Sequence, residues 1–149
     1  MSITLTGATL FTPMQIIERG AIVTSDEGKI TYVGPLEGAP RVPGPRLDLR
    51  RRIVAPGFMD IHVHGGHGIT FGNLDSLAED LAAYSRWIVT HGVTGFFCTL
   101  AAPDTATLLE MIASYVKLLE RGGLPGAVPL GLHLEGPYLS LEKKGAFNP

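Results

Sequence analysis

Residues 56–68 read PGFMDIHVHGGHG, an apolar run that carries Asp60, His62 and His64 at every second position and then ends in glycines. The run predicts a β-strand from Phe58 to His64, and under strict alternation the three polar side chains share one face. We expect Asp60 to be a structural carboxylate. Two imidazoles two residues apart on one face of a strand are close enough to bind one metal ion. The stretch therefore predicts a strand that ends in a binding site.

The sequence after this strand alternates between helical and strand patterns. Apolar residues at intervals of three and four predict two helices, and continuous apolar runs predict two further buried strands. In order, the predicted elements are strand 58–64, helix 74–91, strand 93–100, helix 104–121 and strand 128–134. Asn73 or Asp75 is expected to cap the first helix and Gly92 to end it. The order βαβαβ requires a parallel sheet with right-handed crossovers, so the fold class is α/β.

A change in composition near residue 54 divides the chain. Residues 2–34 read as short strands with a hairpin turn at Asp26-Glu27-Gly28, and residues 47–54 return to a strand pattern. The domains predicted are 1–54, a small β unit, and 55–149, the strands and helices described above. Three parallel strands form an open sheet or begin an eight-stranded barrel, which needs about 250 residues. We therefore expect the chain to be truncated.

A second polar group follows the third predicted strand, in GLHLEGPYLSLEKKGAFNP at residues 131–149. His133 and Glu135 share a face, and Glu135 ends the strand at the same edge as His62 and His64. A carboxylate that emerges from an apolar strand needs a partner, either a lysine such as Lys143 or Lys144 or a metal ion. Two histidines and a carboxylate suit Zn²⁺ or Fe²⁺. His133 is expected to be a core residue or to support a ligand.

Composition excludes several classes of function. With 45% hydrophobic and 17% charged residues, the chain is predicted to be globular. A net charge of −2 gives no electrostatic reason to expect nucleic acid or an anionic membrane as partner. The single cysteine, Cys98, allows no internal disulfide and is expected to be an inert core thiol. No signal peptide or membrane span is predicted, so the expected location is cytoplasmic.

Other polar residues have simpler explanations. His67 is expected to be solvated or to lie next to a substrate. His91 is expected to complement the dipole at a helix C-terminus. Thr94 and Thr99 on the middle strand are weaker candidates for functional residues than the histidines. The pair Lys143-Lys144 is expected to be a solvated loop pair.

Together, these segments resemble a known family. PGFMDIHVHG after a small β unit resembles the opening of the amidohydrolase superfamily. LGLHLEGPYLSLEKKGAFNP is similar to the pattern L-G-x-H-L-E-G-P-[FY]-[LI]…K-x-G-A-H-x-P of the N-acetylglucosamine-6-phosphate deacetylases, and TGFFCTL resembles their second strand. The resemblance covers essentially the whole chain, and HLEGP with its KKGA sequel is its most specific part.

The resemblance implies a (β/α)8 TIM-like metal-dependent hydrolase barrel, preceded in residues 1–54 by part of a small β-sandwich domain. It implies that Glu135 is a principal metal ligand and that His62 and His64 serve a second metal position, with one or two Zn²⁺ or Fe²⁺ ions. Ala146 and Phe147 would lie beside the substrate, although the family usually has histidine where this chain has Phe147. The catalytic aspartate of the family comes from a later strand, beyond residue 149.

The resemblance further implies deacetylation of N-acetylglucosamine 6-phosphate to glucosamine 6-phosphate and acetate, a small-molecule substrate, and a homo-oligomer at full length. One alternative is a cyclic-amide hydrolase such as a dihydroorotase or hydantoinase. Those relatives commonly bridge two metals with a carboxylated lysine, so Glu135 on the third strand favours the deacetylase. The other alternative is an inactive truncated fragment. We expect the 149 residues alone to lack deacetylase activity.

Overall fold

The computed structural model describes residues 1–147 and divides the chain into two compact units, Met1–Pro56 and the residues from Gly57 onward. The division lies close to the composition change near residue 54. That the units are parts of a β-sandwich and of a barrel stays a prediction.

The first unit is a five-stranded sheet in the order β3-β2-β1-β4, with β5 also paired to β1. Its strands are β1 (Thr4–Phe11), β2 (Ile16–Thr24), β3 (Ile30–Pro35), β4 (Arg46–Asp48) and β5 (Ile53–Val54). The predicted hairpin is confirmed, because β2 and β3 pair antiparallel on either side of Gly28, whose φ is 78°. The predicted strand 47–54 is instead two short strands, since Arg51 between them has a left-handed φ of 64°. Ala8, Leu10 and Ile17 form the core of this unit.

The second unit confirms the predicted βαβαβ order. Its elements are β6 (Phe58–Val63), β7 (Gly65–Gly66), β8 (Ile69–Thr70), α1 (Leu77–Val89), β9 (Val93–Ala101), α2 (Thr105–Arg121) and β10 (Val128–Glu135). The strands β6, β9 and β10 form a parallel sheet with β9 in the centre. The short antiparallel pair β7–β8 lies in the glycine-rich loop, where no strand was predicted. Among residues 1–147 this sheet has three strands, so a closed barrel stays a prediction.

The helix ends are set by local polar contacts. Helix α1 is preceded by Ser76, not by Asn73 or Asp75 as predicted, because the Asn73 side chain accepts a hydrogen bond from the Asp75 amide and forms a turn instead. The chain then turns at Gly92, whose φ is 83°, as predicted. Helix α2 is capped by Asp104, whose Oδ1 accepts a hydrogen bond of 2.8 Å from the Thr107 amide.

Both helices pack on one face of the parallel sheet around a cluster of aromatic rings. The rings belong to Phe71, Tyr84, Phe96 and Tyr115. The buried Tyr115 hydroxyl donates to the carbonyl of Phe71 at 2.9 Å, so its polar atom is satisfied inside the core. No helix in residues 1–147 is long and apolar enough to cross a membrane.

A polar contact between α1 and the segment that enters β10 supplements this apolar packing. The fully buried Ser85 Oγ donates to the Ala127 carbonyl at 2.7 Å and accepts from the Gly126 amide at 3.0 Å. The Ser85 carbonyl also accepts from the Ala127 amide at 3.0 Å. A Cβ at Gly126 would stand 2.2 Å from the Ser85 carbonyl oxygen, so only glycine fits there. We call this set of contacts the Ser85 latch.

The prediction that all three strands of the second unit are buried is wrong for the outer two. Phe58 and Ile61 on β6 are each 68% exposed, and Val128 and Leu134 on β10 are also exposed. The reason is position in the sheet: within residues 1–147, β9 has a neighbouring strand on each side, whereas β6 and β10 each have one. A buried strand and an edge strand of a parallel sheet have the same apolar sequence pattern, so the pattern alone could not separate them.

Candidate metal centre

The candidate site lies at the C-terminal ends of the three parallel strands. His62 is on β6, His64 follows the last residue of that strand, and Glu135 is the last residue of β10. The parallel register pairs β6 with β9 and β9 with β10, so these ends lie at one edge of the sheet. The structure thus brings together the three residues that the sequence predicted as metal ligands.

The three polar side chains converge on one point. His62 Nε2 is 3.3 Å from His64 Nε2 and 3.1 Å from Glu135 Oε2, and His64 Nε2 is 2.8 Å from the same oxygen. The side chains of His62 and His64 are about half exposed, at 52% and 53%, and that of Glu135 is 31% exposed. One ligand atom from each residue lies within 4.8 Å of the others. This is a possible divalent-metal site of two histidines and one carboxylate.

Hydrogen bonds alone satisfy this cluster poorly. If both imidazoles donate from Nε2 to Glu135, the two N–H groups of His62 and His64 stand side by side at 3.3 Å with one acceptor between them. If one imidazole presents a lone pair instead, its contact with the carboxylate becomes repulsive. A cation at the centre would accept all three lone pairs, and a tetrahedral ion with bonds of about 2.0–2.1 Å separates its ligand atoms by about 3.3 Å. The donor set and its spacing therefore fit a divalent metal.

The strand that carries the histidines contains a bulge. Asp60 is paired with Phe96 and Val63 with Cys98, so β6 has three residue steps where β9 has two. Asp60 therefore lies on the same face as the buried Phe96, towards the helices, and its charge contributes to the raised pKa of Tyr84 after the larger effect of burial. The prediction that Asp60 shares a face with His62 and His64 is wrong, because strict alternation does not hold across a bulge. Asp60 Oδ1 instead accepts a hydrogen bond from the His62 amide at 3.2 Å, which agrees with a structural role.

A second layer of polar residues lies beneath the histidines. The ring of His133 packs against that of His62, with centroids 4.5 Å apart, and His133 Nδ1 lies 3.2 Å from Thr99 Oγ1. Thr99 is buried and its Oγ1 also accepts a hydrogen bond from the Val63 amide at 2.8 Å. Sequence reasoning gave Thr99 little weight. The signal that could have found it is register: Thr99 pairs with His133 across the sheet, so both side chains lie on the face of the histidines.

The loop after β10 places an aromatic ring beside the site. Phe147 is half-buried, and a Cβ built on Gly136 would lie 3.6 Å from its ring. The turn that carries the ring is closed by two hydrogen bonds, from the Phe147 amide to the Lys144 carbonyl at 3.2 Å and from Lys144 Nζ to the Phe147 carbonyl at 2.5 Å. Gly136 follows Glu135 directly, so Phe147 lies close to the candidate ligands in the fold. Ala146 precedes it on the exposed side of the turn.

The remaining candidates lie elsewhere. His67 is exposed and stacks on Trp87 with ring centroids 5.2 Å apart, and the ring of His91 packs against the same indole with centroids 4.6 Å apart. Burial raises the pKa of the Cys98 thiol to about 12, so this residue is an inert core thiol as predicted. Within residues 1–147 the carboxylate of Glu135 pairs with the histidines and not with Lys143 or Lys144.

Comparison with known proteins gives the relationship directly. The N-acetylglucosamine-6-phosphate deacetylase of Homo sapiens is 39% identical over 107 residues, which are 71% of this chain and 26% of that protein. The enzyme of the same name from Bos taurus is 34% identical over 142 residues, 91% of this chain and 34% of that protein. The chain is homologous to the N-acetylglucosamine-6-phosphate deacetylases. No family model matches it.

The fold of the deacetylases agrees with that of this chain. The crystal structure of N-acetylglucosamine-6-phosphate deacetylase from Pasteurella multocida superposes with a TM-score of 0.83 at 27% identity, over 99% of this chain and 38% of that one. The resemblance read from the sequence is thus confirmed, as is the α/β fold. The chain spans about a quarter to a third of the length of the curated deacetylases that it matches.

Proposed function

We propose that this chain is the part of a metal-dependent deacetylase that supplies His62, His64 and Glu135 to the metal centre. The whole enzyme would convert N-acetylglucosamine 6-phosphate to glucosamine 6-phosphate and acetate, with the catalytic aspartate contributed by a later strand. The observation that carries the proposal is the convergence of three donor atoms within 3.3 Å at the strand ends of a chain homologous to these deacetylases. The two units would then be the N-terminal part of a β-sandwich domain, residues 1–54, and the first strands of a TIM-like barrel, residues 55–149.

The donor set favours Zn²⁺ or Fe²⁺, in one or two ions, because imidazole and carboxylate ligands suit both metals. When bound, such an ion lowers the pKa of a coordinated water and polarises the acetamide carbonyl. The residues of this chain would hold and orient it: Glu135 from β10 and the histidines from β6 approach from opposite sides of β9. Partial exposure of all three side chains leaves room for a substrate at the same edge.

Phe147 and Ala146 are proposed to contact the amino-sugar phosphate. The ring of Phe147 lies over Gly136, next to Glu135, and an aromatic face stacks on the C–H face of a sugar. The side chain of Phe147 can neither donate nor accept a hydrogen bond, which distinguishes this chain from the histidine-bearing pattern of the family.

A cytoplasmic location, a homo-oligomer at full length and the absence of a nucleic-acid or membrane partner are further parts of the same proposal.

A chimera tests this function. Residues 1–149 would replace the matching segment of the Vibrio furnissii deacetylase, which is 35% identical over 133 residues, and release of glucosamine 6-phosphate would be measured after loading with Zn²⁺ or Fe²⁺. We expect turnover of N-acetylglucosamine 6-phosphate and none of dihydroorotate or hydantoin. E135Q should abolish metal retention and turnover, whereas the matched change E142Q on the exposed loop should leave both unchanged.

Two results would contradict the proposal. One is a folded, metal-loaded chimera that does not hydrolyse N-acetylglucosamine 6-phosphate while the parent enzyme does under the same conditions. The other is a chimera in which E135Q retains metal and activity.

A further inference from the structure

We propose that Thr99 is a positioning residue of the metal centre, and that its hydroxyl fixes the bulge in β6 that aims His62 and His64 at Glu135. This inference rests on the proposed function, because it concerns the same metal site. It goes beyond that function by assigning a role to a side chain that binds neither metal nor substrate.

The bulge creates a need for a side-chain acceptor. Between Asp60 and Val63 the ladder with β9 is interrupted, and an interrupted ladder leaves a backbone N–H without its usual carbonyl partner. Part-buried amides of this kind are costly when unpaired. The Val63 amide donates to Thr99 Oγ1 at 2.8 Å, so a threonine side chain replaces the missing carbonyl. Because Val63 lies between the two histidines, its amide sets the backbone from which both imidazoles project.

The same hydroxyl supports the ring of His62 from below. A threonine hydroxyl has one proton and two lone pairs, and the Val63 amide occupies one lone pair. Its proton is free to bond to His133 Nδ1, 3.2 Å away. The His133 ring in turn packs on that of His62 at a centroid distance of 4.5 Å. Thr99 is 2% exposed, so water does not compete for these contacts.

A purely structural role predicts a different pattern of mutational effects. If Thr99 only filled space, valine would replace it well, since Thr99→Val preserves the branched shape and removes only the hydroxyl. Serine would replace it badly, since Thr99→Ser keeps the hydroxyl and loses a buried methyl group. If Thr99 positions the histidines, the order is reversed for metal affinity. The two substitutions therefore separate the two roles.

The experiment is a Co²⁺ titration of the metal-free chain, followed by visible absorption, with Zn²⁺ competition for affinity. We expect T99V to raise the dissociation constant for Co²⁺ by about 10- to 100-fold, the usual cost of losing a group that orients a ligand, and to change the shape of the absorption band. T99S should keep an affinity and a spectrum close to those of the unsubstituted chain. T94V, at the other end of β9 beside Gly57, is the matched control and should change neither. Circular dichroism and protection of the Cys98 thiol report whether each variant is folded.

Each outcome bears on the inference. Absence of Co²⁺ binding by the unsubstituted chain would overturn the proposed metal centre and this inference with it. Binding by that chain, together with equal affinity and spectrum in T99V, would overturn the role of Thr99 and leave the metal centre standing. Should T99V be unfolded, T99S decides: a folded T99S with near-original affinity supports the role, and a folded T99S with weak affinity refutes it.

Discussion

The Ser85 latch gives a prediction whose size follows from the contacts. Ser85→Ala removes one hydroxyl, leaving the fully buried Ala127 carbonyl without its 2.7 Å donor and the part-buried Gly126 amide without its 3.0 Å acceptor. An unsatisfied buried group costs about 1–3 kcal/mol, and a lost hydrogen bond at a part-buried group about 0.5–1.5 kcal/mol. Alanine regains about 0.5 kcal/mol through its higher helix propensity. The expected loss in the free energy of unfolding is therefore about 1–4 kcal/mol, with a middle value of about 2.5 kcal/mol.

Urea denaturation measures this loss. With a slope of about 2 kcal/mol per molar urea for a small protein, the midpoint of S85A should fall by about 1 M at unchanged slope. Circular dichroism follows the helices, and the emission of Trp87 on α1 follows the same unit. Ser114→Ala on α2, which lies away from the latch, should shift the midpoint little. A midpoint for S85A equal to that of S114A would refute the reasoning, because it would mean that the Ser85 latch contributes nothing to the free energy of unfolding.

Three further outcomes are expected. Because burial raises the pKa of Cys98 to about 12, the thiol should resist disulfide reagents at pH 8 until the chain unfolds, and rapid labelling of the native thiol would contradict this account. The free energy of unfolding should fall between about pH 9 and 12 as the unfolded thiol ionises. C98A should reduce this slope to the part that Tyr84 and Tyr115 supply, because burial raises the pKa of both hydroxyls. The hydrogen bonds from Thr107 hold the pKa of Asp104 below its usual 3.8, so stability should be lost as pH falls below about 4, and D104N, which cannot ionise, should lose that dependence in acid denaturation. In the chimera, F147H should lower KM for N-acetylglucosamine 6-phosphate with little change in kcat, because it adds a ring that can form hydrogen bonds. Y138H, at an exposed position of the same loop, should not lower KM. An unchanged or higher KM for F147H would count against contact with the sugar.

The sequence predicts most of the second unit because its signals are local. Apolar spacing defines α1 and α2, Gly92 marks the turn that follows α1, and the predicted start of the second helix at residue 104 coincides with the Asp104 cap of α2. Glu135 could be placed at a strand end because the glycine and proline that follow it interrupt the strand pattern. The homology to the deacetylases depends on the same segments.

The features that the sequence did not predict are those that depend on pairing between strands. A bulge is a mismatch between two strands, so β6 alone gives no sign that Asp60 leaves the face of the histidines. The exposure of Phe58 depends on which strand has a neighbour. The contacts of Thr99 depend on its register with His133 and on the Val63 amide of the adjacent strand. Each needs the partner strand to be known.

His62 and Glu135 of the candidate centre are 73 residues apart along the chain, and β9 lies between the strands that carry them. A cation held there would act as a tertiary cross-link, a clasp between β6 and β10, the two outer strands of this sheet within residues 1–147. At a free concentration of about 100 times its dissociation constant, such a clasp adds about 2.7 kcal/mol to the folded state. Chelators would then destabilise the second unit and leave the hairpins of the first unit unchanged. Occupancy of the metal site could therefore be measured through the stability of the parallel sheet.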